Sequence, residues 1–251
     1  MKYALLIGIN YISLSSGQLN GCINDVNKMK HILINKYNYK SKNIKMLTDH
    51  HHEKPTFHNI LKELEILMDK AKFCSEVFFH YSGHGSFIPD QSNDENDQQD
   101  ECLIPLDYST NGFITDDMIH KLFVEKLVPS CNAIIVIDAC HSATCFDLPY
   151  KYDKNNGEWE KINENVVPNK NIIMLSGCKD NDVSSDAFLG GEYKGALSYA
   201  LTSVLEENNF KLSWKNVLND IHTLLEKKHF TQKPQLSTSQ PFDLEKSFIF
   251  F

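Results

Sequence analysis

Short apolar runs alternate with longer amphipathic stretches along this chain. Apolar, β-branched and aromatic residues concentrate at 3–9, 44–48, 77–82, 133–138, 171–176 and 246–250, and each run is expected to form a strand. Between them the apolar positions recur at helical spacing. Residues 22–36 carry Val26, Met29 and the trio 31–33 on one face, and 57–71 follow Thr56, a good N-cap, with Ile60, Leu61, Leu64, Leu67 and Met68 in one stripe. Further helices are expected at 116–127 behind Thr115, at 194–207 behind a glycine pair and at 214–228 behind Ser213. Strand and helix in alternation is the pattern of right-handed βαβ crossovers, so the class is α/β with a largely parallel sheet covered on both faces. Two polar stretches break the alternation, "PDQSNDENDQQDE" at 89–101 and "KYDKNNGEWEKINENVVPNK" at 151–170. Both are expected to be long loops, which in compact domains are functional or mobile.

Composition narrows the function classes. The 251 residues suit a single hydrophobic core, so one domain over 1–251 is expected. The chain opens directly on a strand pattern, without a basic region, a long apolar run or a pro-region, which implies a cytoplasmic protein without membrane association. Seven cysteines without tandem spacing then imply reduced thiols rather than a disulfide framework. A net charge of −8 disfavours nucleic acid and anionic membranes as partners and accommodates a cationic ligand. Every basic residue is a lysine; there is no arginine.

The candidate chemistry sits at two strand ends. "VFFHYSGHGS" brings Ser82, Gly83, His84 and Gly85 to the end of the third strand, and "AIIVIDACHSATCFDLPY" brings Cys140 just past the end of the fourth. Ligands of parallel sheets bind outside the carboxyl ends of the strands. If these two strands are neighbours, His84 and Cys140 face one crevice, as a cysteine nucleophile and its base require. Glycines on both sides of His84 let backbone approach a substrate and turn an N–H toward a developing oxyanion. The alternatives are a packed thiol and a metal ligand. A zinc site at Cys140, His141 and Cys145 lacks the second chelating pair that such sites use.

These motifs carry a resemblance. "HYSGHGS" followed by "DACHSATCFDLPY" resembles the paired histidine and cysteine motifs of the metacaspases, caspase-like cysteine peptidases. "LLIGINY", "LNGCINDV" (19–26), "DECLIPLDY" (100–108), "GFITDDM" (112–118) and "LSGCKDNDVSSDAF" (175–188) extend it over nearly the whole chain. The resemblance implies a caspase-like α/β sandwich, with a large-subunit-like part at 1–150 and a small-subunit-like part at 171–251 on either side of the 151–170 loop. It implies a Cys140–His84 dyad, cleavage after Lys or Arg, and calcium activation. Ala139 and Ala143 depart from the family pattern, which usually has Gly at the latter position; Ala143 crowds the turn after the nucleophile.

Binding of a P1 aspartate would need arginine forks, and this chain has none, so aspartate specificity is not expected. By resemblance, Asp25, Ser82 and Asp138 line the S1 pocket and hold a basic P1 side chain, while Asp100, Asp116, Asp117 and Asp147 coordinate Ca²⁺, whose hard character suits oxygen ligands. Other readings of these acids are first-turn or helix-start carboxylates for Asp25, Asp116 and Asp117. The leading reading is a monomeric, calcium-dependent endopeptidase acting on polypeptides. Cys140 attacks, His84 moves protons, backbone N–H groups at Gly85 and Cys140 face the oxyanion, and the enzyme processes itself at Lys151, Lys154, Lys161 or Lys170. The competing reading is a caspase-fold scaffold or chaperone-like partner with little or no turnover.

Overall fold

The computed structural model describes residues 1–89, 99–140, 142, 144–163, 169–178, 186–189 and 191–248. His141, Ala143, most of the acidic 89–101 stretch and part of the 175–188 motif lie outside them. The chain begins with β1 (Lys2–Gly8), α1 (Cys22–Lys36), β2 (Ile44–Thr48), α2 (Phe57–Ala71), β3 (Glu76–Ser82), β4 (Gly85–Pro89) and β5 (Gln99–Leu103). It continues with α3 (Tyr108–Asn111), β6 (Ile114–Thr115), α4 (Asp116–Ile119), β7 (Asn132–Asp138), β8 (Tyr150–Asp153), β9 (Glu158–Lys161) and β10 (Asn171–Cys178). It ends with β11 (Asp186–Leu189), β12 (Glu192–Gly195), α5 (Ala196–Glu207), α6 (Trp214–Lys227) and β13 (Lys233–Thr238).

Eight strands form one sheet in the order β2-β1-β3-β7-β10-β13-β8-β9. From β2 to β10 every pairing is parallel; β13, β8 and β9 each pair antiparallel with the strand before them. The central strands are buried on both faces, and strand geometry sends alternate residues to opposite sides. Leu5, Ile7, Phe79, Tyr81, Ile135 and Ile137 pack with α2, Phe123 and Phe146. Ala4, Leu6, Phe78, Ile134 and Val136 pack with α1, α5 and α6. The result is a three-layer α/β sandwich.

Several expectations are corrected. The described part of the run expected at 246–250, residues 246–248, makes only an isolated bridge, Ser213 with Ser247, and Phe248 packs on Trp214 with ring centroids 4.6 Å apart. The place beside β10 is taken by β13, whose Pro234 disguised it, since proline weakens a strand reading. The 151–170 stretch is not simply a loop. Its first part is the β8–β9 hairpin, joined to the sheet through β13, with Trp159 and Tyr152 in edge-on contact. Likewise β5 occupies the end of the 89–101 stretch. The helix expected at 116–127 is α4 followed by a π turn at His120–Val124, where Glu125 N donates to His120 O at 2.9 Å. That wider turn leads into Phe123 and Val124, both fully buried against the core. Lys194 belongs to β12, and the helix starts at Ala196.

Candidate active site

Adjacent parallel strands set the first relation. β3 and β7 pair with Ser82 opposite Asp138, so the segments that follow them leave the sheet side by side. Gly83 N donates to Asp138 O at 3.3 Å, and a Cβ at Gly85 would collide with the Cys140 carbonyl oxygen. Only glycine lets the His84 turn lie against the nucleophile's backbone. Two buried tyrosines clamp that turn: His84 N donates to the Tyr11 hydroxyl at 3.0 Å, and the Tyr81 hydroxyl donates to His84 O at 2.7 Å. Burial raises both phenols above their ordinary range, so they stay neutral.

The imidazole is oriented as well. Its ring lies tilted against that of Tyr11, centroids 4.7 Å apart, and Nε2 lies 2.7 Å from the Gly17 carbonyl oxygen. A carbonyl only accepts, so Nε2 carries the proton and Nδ1 keeps the lone pair that a base needs. Gly17 belongs to the loop between β1 and α1. Asp49 pins that loop, accepting from Asn10 N at 2.8 Å and from Ile12 N at 3.1 Å. Among the described cysteines, Cys140 alone is partly exposed and the others are buried. Burial pushes the Cys102 thiol up to about 12 and raises Cys145, which keeps both inert.

A second group gathers beneath this crevice. Asp25, Ser82 and Asp138 are all buried. Ser82 Oγ donates to Asp25 Oδ2 at 2.8 Å, and Gly195 N donates to the same oxygen at 3.0 Å. A Cβ at Gly195 would collide with Asp138 Oδ2 and stand 2.9 Å from Asp25 Oδ2, so the two carboxylates flank that residue. Asp25 is therefore tied to β3 and to the start of α5, which a helix-start acid would not be. Asp138 accepts from Ser198 N at 2.7 Å, and Ser198 Oγ lies 3.0 Å from Nε2 of fully buried His80. Burial holds the Asp138 carboxyl above its ordinary range, against hydrogen bonds from Ser198 and Gln232. A carboxylate in that condition gains when a cation arrives.

The four remaining acids are less alike. Asp100, Asp116 and Asp147 are buried, whereas Asp117 is exposed on α4. Asp116 accepts from Glu101 N at 2.7 Å and from Asp117 N at 2.9 Å, and burial together with Glu101 and Asp100 pushes its carboxyl up to about 8. Asp116 and Asp147 both act on the Cys145 thiol, which places them around one buried spot. Among the described residues no group of three or more His, Cys, Asp or Glu forms a metal cage. Both carboxylate oxygens of Asp116 already accept backbone N–H bonds, so the four acids as they stand do not assemble a cation site.

Gly17, Asp49, Gly195, Ser198 and Glu101 were not singled out in the sequence. Asp49 could have been, since it follows β2 at the same carboxyl edge of the sheet. Nothing local marks Gly195 or Ser198; they matter because α5 begins against two aspartates 170 and 60 residues away.

Residues 2–149 match the profile of the metacaspase, peptidase C14 domain. Metacaspase-1 of Eremothecium gossypii is 36% identical over 99% of this chain and 66% of its own length, and that of Candida albicans is 36% identical over 99% and 67%. The chain thus spans about two thirds of the length of these curated relatives. A solved protein from Geobacter sulfurreducens superposes with a TM-score of 0.69, covering 98% of this chain and 97% of that one at 23% identity. Caspase-1 from Spodoptera frugiperda superposes with a TM-score of 0.61 over 95% and 86% at 10% identity. At such identities the likeness is one of fold, and the fold is caspase-like.

Proposed function

The chain belongs to the metacaspase family and carries its peptidase C14 domain, and from that premise we propose a cysteine endopeptidase that cleaves polypeptides after Lys or Arg and depends on calcium. The observation that carries the reading is the orientation of His84, protonated at Nε2 toward Gly17 O in a turn packed on Cys140. In this mechanism Nδ1 takes the Cys140 proton and the thiolate attacks the scissile carbonyl. The oxyanion faces backbone N–H groups at Gly85 and Cys140. His84 returns the proton to the leaving amine, then activates the water that hydrolyses the thioester. The P1 cation would be held by the charge of Asp25 and Asp138, with Ser82 fixing Asp25. Two buried carboxylates and no arginine make this pocket hostile to aspartate.

Asp100, Asp116 and Asp147 would hold calcium, with Asp117 at the exposed edge. A cation bound there would supply positive charge where Asp116 is otherwise driven toward protonation, and would have to draw together acids that form no three-ligand cluster as they stand. Asp147 lies seven residues beyond Cys140 and would transmit that ordering to the nucleophile's segment. Self-processing belongs to the same reading. Lys151 and Lys161 are in paired strands, and Lys170 Nζ donates to the Val124 and Glu125 carbonyls at 2.8 and 2.6 Å. Lys154 and Lys161 are the exposed ones of the four, and of these Lys154 lies in the β8–β9 turn rather than in a strand. Reduced thiols fit a cytoplasmic monomer, and among the described residues no helix is long and apolar enough to cross a membrane.

Fluorogenic peptides with P1 Arg, Lys or Asp, assayed with millimolar calcium and with EGTA, test the reading. Hydrolysis of the Arg and Lys peptides, suppressed by EGTA, is expected. No hydrolysis with calcium, or faster cleavage after Asp, would overturn it.

A further inference from the structure

Gln232 lies one residue before β13. In the antiparallel pairing of β13 with β10, Lys233 is opposite Cys178 and Pro234 opposite Gly177, so Gln232 stands level with the end of β10, at the edge of the sheet where Cys140 sits. Its side chain crosses Gly177: a Cβ there would collide with Gln232 Nε2 and lie 3.7 Å from the carbonyl oxygen of Ala139, the residue before the nucleophile. Ser142 Oγ, 3.0 Å from both the Ala139 and the Gly177 carbonyl oxygens, ties the two segments together.

The amide has two ends, and among the described residues only one of them is satisfied. Gln232 hydrogen-bonds the Asp138 carboxylate, and because a carboxylate only accepts, the NH₂ end faces Asp138 and Oε1 points away. That oxygen is buried and finds no hydrogen-bond partner among the described residues. Buried carbonyl oxygens are rarely left so, and a donor brought by a ligand completes them.

We propose that Gln232 is a further specificity-determining residue, whose amide steadies Asp138 at one end and offers Oε1 to the P1 side chain at the other. The proposal rests on the peptidase reading above. Asp25 and Asp138 supply charge, which an ammonium and a guanidinium satisfy alike. A neutral carbonyl adds direction, and the planar guanidinium, with five N–H donors, has the spare one to meet it. Gln232 therefore favours Arg over Lys at P1.

Matched P1-Arg and P1-Lys peptides, assayed on the full calcium-loaded chain, read this out. Gln232→Met keeps the volume and loses both amide functions; Gln232→Ala controls for side-chain shape. In both variants KM for the Arg peptide should rise about tenfold, the size of one lost hydrogen bond to a charged group, with a smaller rise for Lys and kcat kept within about twofold. The rate at which iodoacetamide alkylates Cys140, a step without a P1 side chain, reports that the crevice has kept its form. Wild-type KM values and an unchanged Arg-to-Lys ratio in both variants would overturn the assignment. Binding of the Arg peptide to Cys140→Ala, with and without Gln232→Met, gives a readout independent of turnover. A wild type that cuts neither peptide sinks the peptidase reading, while weaker binding in the Gln232→Met background still supports Gln232, and equal or absent binding rejects it.

Discussion

In the proposed mechanism Cys140 and His84 work as one unit, because the thiol is a weak nucleophile until the imidazole removes its proton. Cys140→Ala and His84→Ala should therefore each abolish peptide hydrolysis, and the double variant should be little worse than either single one. Steady-state kinetics on a P1-Arg peptide decide this; turnover retained in Cys140→Ala would remove it as the nucleophile. At this scale the sequence was legible in placement: His84, Cys140 and Asp138 lie at or just past the ends of the neighbouring strands β3 and β7. It was not legible where a residue acts through a neighbour remote in the chain. Asp25 looks like any first-turn acid until Ser82 and Gly195 are seen on its Oδ2, and His80 looks like a strand residue until its Nε2 is found 3.0 Å from Ser198 Oγ.

The loop from β1 to α1 is the element on which catalytic geometry turns. Its Gly17 carbonyl holds the tautomer of His84, and Asp49 holds the loop by accepting two of its N–H groups. Asp49→Ala leaves those donors without their partner and lets Gly17 O drift. The expected result is a kcat about 10- to 100-fold lower with KM little changed, since misplacing a catalytic group by about an ångström costs on that order. Asp49→Asn keeps one acceptor oxygen and should lose less. Equal kcat in wild type and Asp49→Ala would show that the loop is held by its other contacts, such as Leu19 N to Asn10 O at 2.9 Å. Among elements, α1 and α2 match their expected bounds because an N-cap or a sustained apolar stripe announces them locally. The start of α5 was misjudged because the partners of its first N–H groups are carboxylates from other elements.

For the whole molecule, the sandwich buries His80 completely, and burial pushes its imidazole down to about 3. Unfolded, the same ring titrates near 6.5, so between the two values the unfolded chain binds a proton that the folded one refuses. Stability from this source is complete above about pH 6.5 and is lost as pH falls toward 3, amounting to about 2 kcal/mol by pH 5. Asp116, pushed up to about 8, works in the opposite sense, so the comparison must be differential. In His80→Gln the difference in unfolding free energy between pH 7 and pH 5 should change by about 2 kcal/mol relative to wild type, measured by urea denaturation. The same pH dependence in both proteins would mean that His80 is charged inside the fold.

What the sequence by itself determined is the parallel half of the sheet and the edge at which His84 and Cys140 lie. Apolar runs at 3–9, 77–82, 133–138 and 171–176 are largely buried on both faces, and such strands must advertise themselves as continuous hydrophobic stretches; the run at 44–48, on the edge, is buried over its second half. Tertiary structure alone decided the antiparallel half. β8 and β9 are short and polar, β13 carries Pro234, and each becomes a strand only because a neighbour supplies the ladder. Tertiary structure also decided which acids meet. Asp25 and Asp138 are 113 positions apart in sequence, and they flank Gly195 because β3 and β7 are neighbours, α1 packs over them, and a residue without a side chain lets the start of α5 come between.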